Sequence, residues 1–228
     1  MIAWAVTAVL SAALAHAGAE GLPESAHVEF PAGEAPEDGW PVFVLLHGYG
    51  TNKDDFAELC RVVASRGAVA VALDAPHRVR GAQRSWGRPD NNTRVHEYVQ
   101  EHLASIGGDP RIDARRVHLG GFSQGAMHAV LLTLHWPAAY GGVLAVSSPG
   151  KAALPQHWEA DDRAHPLFLV YGQQEPASVA TFADRLARLW DASGQRHQTF
   201  RHPGGHTFPL FWERIFAGAV DWILDPKA

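Results

Sequence analysis

The stretch Val117-His118-Leu119-Gly120-Gly121-Phe122-Ser123-Gln124-Gly125-Ala126-Met127 reads Gly-x-Ser-x-Gly from Gly121 to Gly125, with Ser123 at its centre. An apolar, β-branched run precedes it, and a helix-like run over residues 126–135 follows. In that strand–turn–helix setting a serine is lifted to the carboxyl edge of a sheet, with helix N-terminal N–H groups beside it. The turn is so tight that a side chain at either flanking position collides with its neighbours, and glycine removes the collision. Taken alone the motif is weak. With 22 glycines in 228 residues, a glycine-rich turn without chemistry is the alternative to be weighed, so the surroundings must decide.

Outward from this turn, strand and helix patterns alternate. Residues 41–46 (Pro-Val-Phe-Val-Leu-Leu) form a continuous apolar run, as expected of a strand covered on both faces. Residues 54–66 read as a helix stopped by Gly67, and 68–73 as a second buried strand. Residues 93–106 follow as a helix and 117–119 as a third strand. The second half adds strands at 142–146, 166–171 and 198–200. It also adds a helix capped by Ser178 and stopped by Gly194, and an aromatic-rich last helix over 208–224. Such alternation predicts an α/β fold, a mostly parallel central sheet with helices on both faces. Residues 21–39, rich in Pro, Gly and acid, read as an exposed arm or a weak edge hairpin. The organisation expected is an arm or edge strand over 18–40 and one α/β domain over 41–228.

Composition narrows the classes further. A net charge of -5 argues against nucleic acid as the main partner. The single cysteine, Cys60, excludes an internal disulfide. Phe56, Leu59, Cys60 and Val63 share helical spacing, which reads Cys60 as a buried small apolar residue. Residues 2–15 are almost entirely small and apolar, and Ala15-His16-Ala17 fits a cleavage site, so residues 1–17 read as a signal peptide and the mature chain as exported. No Lys or Arg precedes the apolar run, a departure from the usual leader. The run is too short for a membrane span, and none is expected in the mature chain.

A serine nucleophile needs a base, an acid that orients the base, and donors for the oxyanion. The order serine, acid, histidine is available here. Glu175 is the one acid in the loop after the strand ending Leu169-Val170-Tyr171, before the next helix begins. A surface carboxylate at a helix N-terminus is its bland alternative. His202 and His206 both lie in the late loop. His206 follows the Gly204-Gly205 pair and precedes the last helix, whereas His202 reads as still on a strand. A metal site on this pair would need a helix that Pro203-Gly204-Gly205 breaks, so no metal or other cofactor is expected. Oxyanion donors are expected from the N–H groups of Gln124, next to the serine, and of Tyr49 in the loop His47-Gly48-Tyr49-Gly50. His47 has no place in the order and reads as a structural hydrogen-bonding residue.

The segments Leu46-His47-Gly48-Tyr49-Gly50, Asp74-Ala75-Pro76, Ser85-Trp86, Gly120-Gly121-Phe122-Ser123-Gln124-Gly125 and Gly204-Gly205-His206 resemble the phospholipase/carboxylesterase family, which includes acyl-protein thioesterases. The likeness runs over residues 41–224. It implies a small α/β-hydrolase fold with little or no lid. It also implies a metal-free serine esterase or thioesterase acting through Ser123 and His206. Two departures stand out. The family usually has Asp where Glu175 stands, and the extra methylene displaces the carboxylate by about a bond length. Thioesterase relatives are generally intracellular, so apparent export favours small or lipid-like esters as substrates.

The expectation is a serine carboxylic-ester hydrolase with an acyl-enzyme on Ser123. The alternatives are a peptidase, a polyester or feruloyl-type esterase, and a hydrolase-fold binding protein impaired in catalysis. Arg78, Arg80, Arg84 and Arg88 surround Trp86 in residues 76–90. They read as solvated charges, with an anionic substrate group as the other option. Trp86 either lines an acyl or aryl substrate pocket or packs on the core.

Overall fold

A computed structural model describes residues 23–225. The expected leader, residues 1–17, lies outside the described residues. Among the described residues nine strands run in chain order as β1 (Ala26–Glu29), β2 (Trp40–Leu46), β3 (Val69–Leu73), β4 (His77–Arg80), β5 (Gln83–Ser85), β6 (Ile112–Phe122), β7 (Val143–Val146), β8 (Leu167–Gly172) and β9 (His197–His202). The α-helices are α1 (Ala57–Ala64), α2 (Asn92–Ile106), α3 (Gln124–His135), α4 (Ala177–Ala192) and α5 (Trp212–Leu224).

Seven strands form one sheet in the order β1-β3-β2-β6-β7-β8-β9. All neighbours pair in parallel except β1, which runs antiparallel on β3 with Ala26 opposite Leu73. The segment read as an arm or hairpin therefore supplies an edge strand. The period of two along the central strands divides the core. Val42, Val44 and Leu46 of β2 belong to one apolar cluster and Phe43 and Leu45 to the other. Helices α2, α3 and α4 cover the first face, and α1 and α5 the second. Each fully buried Val, Leu or Phe contributes roughly 1.5–3 kcal/mol of transfer free energy, which explains why the central strands carry almost no polar residues. Cys60 is buried in the second cluster, and burial pushes its thiol up to about 12, away from any nucleophilic role. Among the described residues no helix is long and apolar enough to cross a membrane.

Several boundaries differ from the sequence reading. The helix expected over 54–66 begins as a 3-10 turn, Lys53–Phe56, closed by a capping box between Asn52 and Asp55. Ser178 does not cap α4. Pro176 takes that position, and no side chain caps the helix. The aromatic run 208–211 is not helical: Phe211 has φ 57°, a left-handed conformation that breaks the run before Trp212. The strand read over 117–119 extends to eleven residues, with a register irregularity against β2. Residues within 76–90 fold into the β4–β5 hairpin, with β4 exposed throughout.

Candidate active site

The sheet order places four loops side by side at one edge. The turn after β6 carries Ser123, and the turn after β7 carries Ser147. The turn after β8 carries Glu175, and the loop after β9 carries His206.

Ser123 sits at φ 53°, ψ -117°, a strained conformation for a residue with a Cβ. Its N–H donates to Val146 O at 2.9 Å. The flanking glycines are sterically required. A Cβ on Gly121 would lie 2.5 Å from the Gly125 carbonyl carbon, and one on Gly125 would overlap the Leu46 carbonyl. The loops that carry Glu175 and His206 are laced together. Gln173 N–H donates to His202 O at 2.8 Å, and Gln174 N–H to Gly204 O at 3.0 Å. The approach is so close that a Cβ on Gly172 would overlap the Gly204 carbonyl oxygen.

These loops bring three of the singled-out side chains into one line. The Ser123 hydroxyl lies 2.8 Å from His206 Nε2, and His206 Nδ1 lies 2.6 Å from Glu175 Oε2. A carboxylate only accepts, so Nδ1 carries the proton and Nε2 is free to accept from Ser123. The Glu175 side chain is 1% exposed, whereas that of His206 is 44% exposed. A buried carboxylate needs donors. Glu175 has two besides His206, both on Oε1: the Ser147 hydroxyl at 2.6 Å and the Gly172 N–H at 3.0 Å. Ser147 escaped the sequence reading. Its only signal was a Ser-Ser-Pro-Gly turn at the carboxyl end of a buried strand.

His206 is backed by the Phe122 ring at 5.0 Å between centroids, and Phe122 by Phe208 at 5.3 Å. His202 ends β9 and is buried, with its Nδ1 accepting from Gly204 N–H at 3.2 Å. It makes no hydrogen bond to Ser123, Glu175 or His206 among the described residues. Among the described residues no three His, Cys, Asp or Glu side chains converge as a metal site.

Gln124 is the first residue of α3, and Tyr49 lies in the loop after β2. Among the described residues neither backbone N–H has a partner, while the adjacent Gly50 N–H donates to Arg84 O at 2.9 Å and Thr51 N–H to Gly48 O at 3.3 Å. The Tyr49 side chain is exposed. His47 is buried, accepts from Ala75 N–H on Nε2 at 3.0 Å, and donates from Nδ1 to Gly48 O at 2.7 Å. Burial pushes its pKa below the ordinary value, which keeps the ring neutral. It thus pins the loop that carries Tyr49.

Of the two roles left open for Trp86, its position supports packing. The side chain has no exposed surface, and its indole N–H donates to His47 O at 2.9 Å. A ring with no accessible atom cannot contact a substrate in this conformation. Gln124 does more than offer a backbone donor. Its side chain accepts from Trp86 N–H at 3.0 Å and donates to Gly87 O at 2.7 Å. Arg84 N–H donates to Thr51 O at 3.0 Å. The hairpin therefore ties the serine turn to the Tyr49 loop. Arg84 and Arg88 approach Asp74 and Asp90 at 3.8 and 3.7 Å.

A parallel sheet, a strained serine at a strand-to-helix turn and a histidine–carboxylate pair over the sheet edge define an α/β-hydrolase. A model of the Phospholipase/Carboxylesterase family matches residues 75–209, and the chain belongs to that family. It is 26% identical over 154 residues to the protein NocK of Nocardia uniformis subsp. tsuyamanensis, spanning 64% of this chain and 43% of NocK. It is 31% identical over 100 residues to Acyl-protein thioesterase 1 of Debaryomyces hansenii, spanning 43% of this chain and 41% of that protein. The matched stretches thus span less than half the length of either relative. A carboxylesterase of Bacillus cereus superposes with a TM-score of 0.71 at 16% identity, covering 87% of this chain and 94% of the other, a likeness of fold.

Proposed function

We propose that this protein is a serine hydrolase of carboxylic esters that works through an acyl-enzyme on Ser123. The observation that carries the reading is the unbroken hydrogen-bonded line Ser123–His206–Glu175 at the sheet edge. His206 Nε2 takes the hydroxyl proton as Ser123 Oγ attacks the acyl carbon. The oxyanion accepts from the N–H groups of Tyr49 and Gln124, each such donor being worth roughly a hundredfold or more in rate. His206 then returns the proton to the departing alcohol as the C–O bond breaks. A water, deprotonated by the same imidazole, attacks the acyl carbon and releases the acid and Ser123. Glu175 accepts from Nδ1–H throughout, holding that tautomer and stabilising the imidazolium.

Small or lipid-like esters are the proposed substrates. The half-exposed His206 supports an open site with easy access. The reading of an inactive binding protein leaned on the unusual Glu175, and the 2.6 Å reach of that side chain to His206 supports the enzyme instead. The test is hydrolysis of p-nitrophenyl esters of graded chain length alongside acyl-CoA thioesters. Ester turnover that vanishes in Ser123→Ala is expected; turnover unchanged in that variant would remove the serine from the chemistry. Export is proposed on the apolar run at residues 2–15 and the Ala15-His16-Ala17 site. N-terminal sequencing of secreted material checks it, with Gly18 expected first.

A further inference from the structure

The carboxyl end of β7 touches both halves of the site. Val146 O accepts from the Ser123 N–H, and the next residue, Ser147, donates its hydroxyl to Glu175 Oε1. Strand order makes this possible, because β7 lies between β6, which leads into Ser123, and β8, which leads into Glu175. Ser147 has no exposed surface and sits at φ 53°. A left-handed residue bearing a Cβ persists only where its surroundings over-determine it. Here the Ser147 N–H is held by Val170 O at 2.7 Å and the hydroxyl by Glu175 at 2.6 Å. The neighbouring Ser148 is buried too, yet its hydroxyl has no partner among the described residues. Burying a serine at this turn does not by itself create the bond.

The last torsion of a glutamate is soft and roughly two-fold, so a carboxylate on that longer arm is poorly aimed unless both oxygens are held. The Gly172 N–H alone leaves that rotation open. Adding the Ser147 hydroxyl on the same oxygen closes it and leaves Oε2 for His206 Nδ1.

We infer that Ser147 is a positioning residue of this site: its left-handed backbone delivers a hydroxyl that fixes the Glu175 carboxylate, so that Oε2 faces His206. The inference rests on the hydrolase reading above.

Ser147→Gly tests it, because glycine accepts φ 53° without strain and removes the side chain that carries the hydroxyl. The expected result is a folded protein whose kcat falls about 10- to 100-fold, the range for a misaimed catalytic group, with KM little changed. The low-field proton resonance of His206 Nδ1 should broaden or move upfield. In a Glu175→Ala background the same change should cost less than about twofold more, since two groups acting through one contact are not additive. Wild-type kcat in Ser147→Gly, or an equal loss with and without Glu175, overturns the inference. Should Ser147→Gly not fold, Ser147→Ala is read by the same three measurements. If the wild type itself neither hydrolyses esters nor reacts with a fluorophosphonate, the hydrolase reading fails and this inference falls with it. An active wild type with an indifferent Ser147→Gly sinks this inference alone.

Discussion

Gly125 and Leu46 are packed backbone against backbone, with no room between them for a single methyl group. The contact joins the first turn of α3 to the end of β2, and so sets the height of Ser123 over the sheet. Gly125→Ala is expected to lower stability by at least about 3 kcal/mol, the upper part of the overpacking range, because the obstacle is main chain and cannot rotate away. Gly218 is the control. It lies exposed in α5 with open space where a methyl group would stand, so Gly218→Ala should stabilise by about 0.5–1 kcal/mol. Urea unfolding of both variants checks the opposite signs.

On the hydrolase reading, shortening Glu175 should lower activity. Glu175 spans from Ser147 and Gly172 to His206 with one carboxylate, and an aspartate loses about a bond length of that reach. Glu175→Asp is therefore expected to lower kcat roughly 10- to 100-fold while leaving KM near its original value, as for a lost orienting contact. Steady-state kinetics on a p-nitrophenyl ester measure it. Full activity in Glu175→Asp would mean that the carboxylate is not aimed by this network.

Trp86 and Gln124 brace the two loops proposed to hold the oxyanion. Trp86→Phe keeps an aromatic ring but leaves the buried His47 carbonyl without its indole donor, a loss of about 1–3 kcal/mol. Gln124→Ala retains the backbone N–H and deletes the clamp on Trp86 and Gly87. Its expected effect is a lower kcat with little change in unfolding midpoint. Thermal melts and kinetics on the two variants separate the roles: a kcat unaffected in Gln124→Ala would show that the hairpin does not position the site.

His128 predicts acid lability. It has no exposed surface, and burial holds its pKa at about 4 against an ordinary 6.5. Between those values the unfolded chain binds a proton that the folded chain does not, so stability rises with pH across this window. Its contribution is fully present above about 6.5 and is lost as pH falls towards 4, on the order of 3 kcal/mol in all. His128→Gln, which keeps a polar neighbour for Asn92, should flatten that slope. Urea midpoints taken at pH 7, 5.5 and 4.5 provide the measurement, and an unchanged slope in the variant would contradict the assignment.

What the sequence revealed follows from the range of the forces involved. The turn at Gly121 to Gly125 is legible because its steric demand is local. The buried strands are legible because both faces need apolar residues, as the runs ending at Leu46 and Leu73 show. Glu175 could be picked out because its loop offers no other acid. Ser147 could not, since its contact exists only after β7 is slotted between β6 and β8. The hairpin β4–β5 was hidden because its polar, arginine-bearing strands lack any apolar alternation. Phe208 was misread as helical because its ring serves the cluster of Phe56, Phe122 and Phe216 from an irregular segment. Trp86 looked equally suited to pocket and core, and only its burial separates them.

Activation of Ser123 as a nucleophile by His206 is the claim on which the rest depends. Reaction with a fluorophosphonate, read by intact mass and peptide mapping, tests it most directly. One phosphonyl group per chain is predicted, on Ser123, with the rate falling roughly a thousandfold or more in His206→Ala, as for loss of a triad member. Absence of labelling in the folded wild type, or labelling that persists in Ser123→Ala, would contradict it.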